Sequence, residues 1–198
     1  GSNEGIKELI YTLKAFAAYL PFSFGSVKYL SDRNSEIIGK AIGKIFNLPV
    51  DKFDAEEENY HCLIVAGDSE SLNEFELNVI RNGQIIFALN HGWLQSSYIT
   101  PDIIGFMTQS YYFPWNGEGI KAIDAEAGKI EKTTPDNRSA DEIAEEIATL
   151  AHEPKDNTEL FSFYKERREH LKGIGSQTND QRYNFMIESP VQGSYFGV

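Results

Sequence analysis

The sequence has a single cysteine and no long apolar run. Because Cys62 stands alone, an internal disulfide and a cysteine-cluster metal site are excluded. No stretch reaches the roughly 18 apolar residues that a membrane-spanning helix needs, and no signal-peptide pattern opens the chain. Gly1-Ser2 is typical of a cloning remnant and is left out of the interpretation. A lone cysteine suits a reducing compartment, so we expect a cytoplasmic protein.

Positive charge is also scarce. The chain has 18 Lys and Arg against 30 Asp and Glu, a formal net charge of -12. Such a surface repels phosphate backbones and anionic lipids, so we predict neither nucleic acid nor membrane as a partner. The one basic cluster, Lys165-Glu166-Arg167-Arg168, mixes both signs, as is typical of a solvated helix face.

What the sequence does contain is a central buried segment, the run from Cys62 to Ser69. Its apolar residues continue without interruption until Gly67-Asp68-Ser69 closes them. This composition is typical of a strand buried on both faces and followed by a polar loop. With 41% hydrophobic and 13% aromatic residues among 198, the chain can build a sizeable core around such a strand.

The segments on either side of this strand predict an α/β fold. Helical periodicity appears at 4–20, 37–46, 69–80, 143–151 and 158–172, and strand patterns at 26–30, 84–89 and 103–112. Residues 120–132 predict a β-hairpin with Gly128 in its loop. We therefore predict a Rossmann-like, mainly parallel sheet of about four strands with helices on both faces and an added hairpin. Residues 3–173 are expected to form one domain, and 174–198 a tail or a strap.

Polar side chains follow three of the predicted strands. Ser31 and Asp32 come after the first, Asp68 and Ser69 after the second, and Asn90 and His91 after the third. If these strands are parallel neighbours, their carboxyl ends bring the polar groups to one edge, where ligands bind in open α/β sheets. Asp32 and Asp68 have a second interpretation, because an Asp after a strand is also an ordinary helix cap.

The predicted site permits acid–base or hydrolytic chemistry. His91 is the candidate general base, with Asp68 orienting its ring, while Asp32, Ser69, Asn90 and Trp93 are candidate ligand contacts. Trp93 either stacks on a ligand ring or packs against the edge. No two of the four histidines have helix-face spacing, so no metal site is predicted, and the sequence identifies no cofactor.

Familiar catalytic motifs are absent. The segment 85–95 resembles the strand and His-Gly loop of α/β-hydrolases, yet no Gly-x-Ser-x-Gly follows it. Phosphate-loop and Gly-x-Gly-x-x-Gly motifs are also missing, which disfavours classical nucleotide substrates.

The alternative hypothesis is a non-catalytic interaction or regulatory domain. It would use the aromatic cluster Tyr111–Trp115, together with the tail, to contact a protein partner or a second copy of the chain. The opposing interpretation is that these rings belong to the core.

Overall fold

The computed structural model describes residues 1–20, 23–57, 61–73, 84–93, 99, 101–117, 119–124, 129–166 and 185–187. The α-helices are α1 (Asn3–Ala17), α2 (Arg33–Phe46), α3 (Ala140–Thr149) and α4 (Thr158–Glu166), and a 3₁₀ helix covers Ser69–Asn73. The strands are β1 (Ser26–Tyr29), β2 (Val50–Lys52), β3 (Cys62–Asp68), β4 (Gln84–Gly92), β5 (Ile103–Thr108), β6 (Ile120–Asp124), β7 (Lys129–Lys132) and β8 (Phe185–Met186).

The main sheet has six strands in the order β2-β1-β3-β4-β5-β8, and every neighbouring pair is parallel. The α/β prediction is confirmed, and β1, β3, β4 and β5 are the four strands expected from sequence. The hairpin is confirmed as well, because β6 and β7 pair antiparallel as a separate sheet. Strand β5 ends at Thr108, four residues before its predicted end.

Two edge strands were not predicted. Strand β2 has three residues, two of them exposed, and its last two residues open an acidic stretch of the sequence. Strand β8 has two residues and comes from the predicted tail; Ile187, which follows it, donates its amide hydrogen to the carbonyl of Ile104 at 3.2 Å. Strands this short show no periodicity, so the sequence could not reveal them. The rest of 174–198 and residues 167–172 of the predicted last helix lie outside the described residues.

Helices α1, α2 and α3 form a layer on one face of the sheet. Helix α2 lies close to the backbone of β1 and β2 because two glycines face them. A Cβ on Gly39 would lie 2.7 Å from the Cβ of Tyr29, and a Cβ on Gly43 would overlap Val50. Close approach of α2 to the sheet therefore accounts for these two glycines.

The opposite face carries a second apolar cluster. It contains alternate residues of β3 and β4 together with Leu72 of the 3₁₀ helix, Ile99 and part of Phe53. The described part of this layer has the 3₁₀ helix Ser69–Asn73 where a longer helix, 69–80, was predicted. Residues 74–83 and 94–98 lie outside the described ranges. Among the helices that the structure describes, none is long and apolar enough to cross a membrane.

Candidate functional site

The strand order creates a reversal point between β1 and β3. From β1 the chain continues to β2 on one side, whereas from β3 it continues to β4 on the other. In doubly wound sheets of the order 2-1-3-4-5, the loops leaving such a pair separate and leave a crevice outside the carboxyl ends of the strands. The six polar residues at the predicted edge lie at the ends of β1, β3 and β4 or directly after them. We call this region the carboxyl edge.

Asp32 acts as the N-cap of α2, which is the role that the sequence offered as the alternative to a ligand contact. Its Oδ1 accepts a hydrogen bond from the backbone N–H of Ser35 at 2.9 Å, and its Oδ2 accepts one from the Ser35 hydroxyl. The buried Ser35 Oγ in turn accepts the backbone N–H of Gly67 at 2.8 Å. The N-terminus of α2, where this fold class often binds phosphate, thus already holds a carboxylate of the chain itself.

Gly67 permits this connection because it has no side chain. A Cβ at Gly67 would lie 2.7 Å from the Cβ of Asn34 and 3.1 Å from the Ser35 nitrogen. The first turn of α2 therefore rests directly on the end of β3. Ser35 was missed by the sequence interpretation, although its position three residues after an N-cap Asp was a usable signal.

A chain of hydrogen bonds joins the ends of β3, β4 and β5. The Thr108 hydroxyl donates to Asn90 Oδ1 at 2.7 Å, and Asn90 Nδ2 donates to Asp68 Oδ2 at 2.6 Å. Asp68 Oδ1 accepts the backbone N–H of Glu70 at 2.9 Å. Asn90 is 2% exposed and Thr108 is buried, whereas Asp68 remains half-buried. The network holds the Asp68 carboxylate in one orientation with part of it open to solvent. Thr108 was also missed by the sequence interpretation.

The ring of His91 is positioned by Ser69, not by Asp68 as predicted. The distance between His91 Nδ1 and Ser69 Oγ is 2.7 Å. Asp68 and Asn90 are register partners in the parallel pair, so their side chains lie on the same side of the sheet. His91 is the next residue along β4 and therefore points to the other side, where Ser69 follows Asp68.

His91 is half-buried, and the described residues provide no hydrogen-bond partner for its Nε2. Ser69 is fully buried, so its hydroxyl can orient the imidazole but is poorly placed to attack a substrate. A Nδ1–H that donates to Ser69 would leave Nε2 as the basic nitrogen, directed away from that hydroxyl.

Trp93 lies just beyond β4 with 40% of its surface exposed. Its backbone N–H donates to the carbonyl of Thr108 at 3.1 Å, which anchors the residue at the end of β5. The exposed part of its indole lies beside the carboxyl edge.

The aromatic cluster Tyr111–Trp115 belongs mostly to the core. Phe113 and Trp115 are 4% and 1% exposed, and burial raises the pKa of Tyr111. The Trp115 indole donates to Asn34 Oδ1 at 2.7 Å, which connects the cluster to the first turn of α2. Only Tyr112, with 47% of its surface exposed, presents a large part of its ring to solvent.

Charged groups near the carboxyl edge are mainly acidic. The side chains of Asp32, Asp68 and Glu70 follow β1 and β3, while the Arg33 guanidinium donates to the backbone carbonyls of Asp136 and Arg138. Within the described ranges, no group of three or more His, Cys, Asp or Glu side chains is arranged to hold a metal ion.

Comparisons with protein-family models, with curated proteins and with solved structures found no match to this chain. What can be said about its function therefore depends on the geometry of the carboxyl edge.

Proposed function

We propose that the protein binds a small molecule at the carboxyl edge, above the ends of β1, β3 and β4. The observation that carries the proposal is the pair of positioned side chains at the reversal point of the sheet. Asp68 is held by Asn90, and His91 is held by Ser69, each within 2.7 Å. Buried groups thus orient two chemically useful side chains that are themselves partly exposed, which is typical of binding sites.

The ligand that best fits this edge is neutral or cationic. An anion would lie beside the carboxylates of Asp32 and Asp68, and Asp32 already occupies the N-terminus of α2. Hydroxyl or amine groups can instead donate to Asp68, while a flat ring stacks on Trp93. In the enzymatic version of the proposal, His91 Nε2 accepts a proton from a substrate hydroxyl or from water, giving acid–base or hydrolytic chemistry.

The competing function is a contact site for a protein partner or a second copy of the chain. Fewer observations support it, because Phe113 and Trp115 of the aromatic cluster are buried and only Tyr112 is largely exposed. We also propose a reducing compartment such as the cytoplasm; the fully buried Cys62, which forms no disulfide, supports it.

The test is a thermal-shift screen of amines, sugars, nucleosides and their phosphorylated forms against the wild type and two variants. Asp68→Asn and His91→Gln keep side-chain shape while changing charge or basicity. His61→Asn, an exposed position before β3, is the matched control. A ligand at 100 times its dissociation constant stabilises the protein by about 2.7 kcal/mol.

A ligand that stabilises the wild type and His61→Asn, and fails to stabilise Asp68→Asn or His91→Gln, supports the proposal. Trp93→Phe should remove any change in tryptophan fluorescence that the same ligand causes. Ligands that stabilise all four proteins equally would place binding elsewhere. Absence of any ligand, with sedimentation showing self-association that Tyr112→Ser abolishes, would favour the contact-site alternative.

A further inference from the structure

A cavity lies between α1 and the segment that joins α3 to α4, and none of the carboxyl-edge residues lines it. Its volume is about 320 Å³, within the range of roughly 300–1,000 Å³ that small-molecule sites occupy. One wall is a face of α1 formed by Tyr11, Thr12, Lys14 and Ala15. The other wall is formed by residues of the connecting segment: His152, Pro154, Lys155 and Asn157.

Most of the lining is apolar, and its central feature is a pair of stacked rings. The rings of Tyr11 and His152 are 3.9 Å apart between centroids and inclined by 13°. Ala15 and Pro154 add carbon surface beside them. Flat walls of this kind suit a planar ring, because stacking and apolar contact both favour it.

Contacts from α1 hold the second wall in place. The buried ammonium of Lys7 donates to the carbonyl of Ala148, in the last turn of α3, and to that of Leu150, the C-cap residue. This arrangement satisfies the helix end and neutralises its negative dipole. In the connecting segment, Lys155 forms an ion pair with Glu8 of α1 at 3.2 Å. The segment that follows α3 is therefore held against α1 by contacts at both of these positions.

The titratable groups in the lining, tyrosine apart, are all basic: Lys14, Lys155 and His152. This is unusual in a chain with a net charge of -12. Glu8 is not part of the lining, and it neutralises Lys155. Lys14 donates to the carbonyl of Ile45 at 2.7 Å, which uses one of the three hydrogens of its ammonium. The Lys14 ammonium also lies 5.8 Å from the centroid of the Phe46 ring, a contact that uses none of its acceptor-directed hydrogen bonds, so it can take an additional acceptor.

We propose that this cavity binds a small planar aromatic anion, of the aryl carboxylate class. The ring packs on the carbon surfaces of Ala15, Pro154 and the stacked pair, and the carboxylate accepts a hydrogen bond from Lys14. This site is independent of the carboxyl edge, so either can be present without the other.

The experiment uses benzoate and its neutral analogue benzyl alcohol, with binding followed by two-dimensional NMR of the full chain. Ala15 is exposed, so Ala15→Trp can fill the cavity from outside while the core stays intact. Lys14→Met keeps the length of the side chain without its charge. Lys165→Met, at an exposed position outside the lining, is the matched control for the loss of one positive charge. Unfolding midpoints of all variants verify that they are folded.

Benzoate should shift the ring resonances of Tyr11 and His152 and bind more tightly than benzyl alcohol. Lys14→Met should weaken the affinity for benzoate by about tenfold, as expected for loss of a charge-assisted hydrogen bond. Lys165→Met should change this affinity little. Ala15→Trp should abolish binding of both probes. Equal affinity for both probes would overturn the anion assignment. The proposed site would be refuted if a 20-fold excess of benzoate over about 1 mM protein caused no shift of these resonances. Binding of either probe to the Ala15→Trp variant would refute it as well.

Discussion

Replacing Asn90 by Asp tests whether the hydrogen-bond network orients Asp68 as the structure shows. The substitution keeps the shape of the side chain and exchanges the donating Nδ2 for an oxygen. That oxygen would lie where Nδ2 now lies, 2.6 Å from Asp68 Oδ2, in a position that is 2% exposed. Two carboxylates would then face each other across the ends of β3 and β4.

The cost of this substitution should depend on pH. Two unit charges about 4 Å apart repel by roughly 4 kcal/mol at an effective dielectric constant of about 20. The repulsion disappears when the two carboxyls share one proton. The folded state therefore keeps that proton to a higher pH than the unfolded chain, whose carboxyls have pKa values of about 4. The folded variant thus binds more protons, and its stability falls as pH rises above that value. We expect Asn90→Asp to cost about 3–5 kcal/mol at pH 8 and about 1–2 kcal/mol at pH 5.

Urea unfolding of the wild type and the variant at pH 5, 6, 7 and 8 measures this difference. Asn137→Asp, at an exposed position, adds the same charge and should show no comparable dependence on pH. Thr108→Val removes the donor to Asn90 Oδ1 and should cost about 1 kcal/mol at every pH tested. If the cost of Asn90→Asp is the same at pH 5 and pH 8, the two side chains do not meet as described and the network is refuted.

Three further predictions concern the framework around the sites. Gly67→Ala should lower the free energy of unfolding by about 1–3 kcal/mol in urea unfolding, because the new Cβ would contact α2. Gly25→Ala is the control, since Gly25 has open space around it and its substitution should have no such effect. Equal effects of the two substitutions would contradict the described packing. Burial raises the pKa of Cys62 to about 11, so at pH 8 a thiol reagent should label it only after urea is added; rapid native labelling would refute its burial. Hydrogen bonds from Arg138 hold the pKa of Asp136 and of Glu146 below the usual range, so Arg138→Gln should raise both pKa values in carboxyl-carbon NMR titrations. Because these carboxyls have lowered pKa values in the fold, their contribution to the free energy of unfolding is present above about pH 4 and lost in acid. The variant should therefore be less stable than the wild type at pH 6 and equal to it near pH 2. A loss of stability that persists in acid would have another cause.

Much of the carboxyl edge was predictable because its residues are marked locally. Asp68, Ser69, Asn90 and His91 each follow an apolar run, and the end of such a run lies only a few residues before the end of the strand. The interpretation of Asp32 as a cap required only its position before the helical pattern of α2. Which of these side chains contact each other was not predictable. Asp68 pairs with Asn90, and His91 with Ser69, because of the register between β3 and β4, and register is a relation between segments far apart in sequence.

The cavity beside α1 shows the same limit. Tyr11 and His152 are separated by most of the chain, and no spacing in the sequence connects them. The ties from Lys7 to the end of α3 exist only once both helices pack on the same face of the sheet.

By itself, the sequence determined the α/β class, the four central strands, the hairpin and the faces of the helices, because hydrophobic periodicity and capping are properties of neighbouring residues. The tertiary structure alone decided the strand order, the two short edge strands, the reversal point between β1 and β3, and the partners of each polar side chain. These depend on contacts between distant segments, whose free energy comes from burial and hydrogen bonds that no local pattern records.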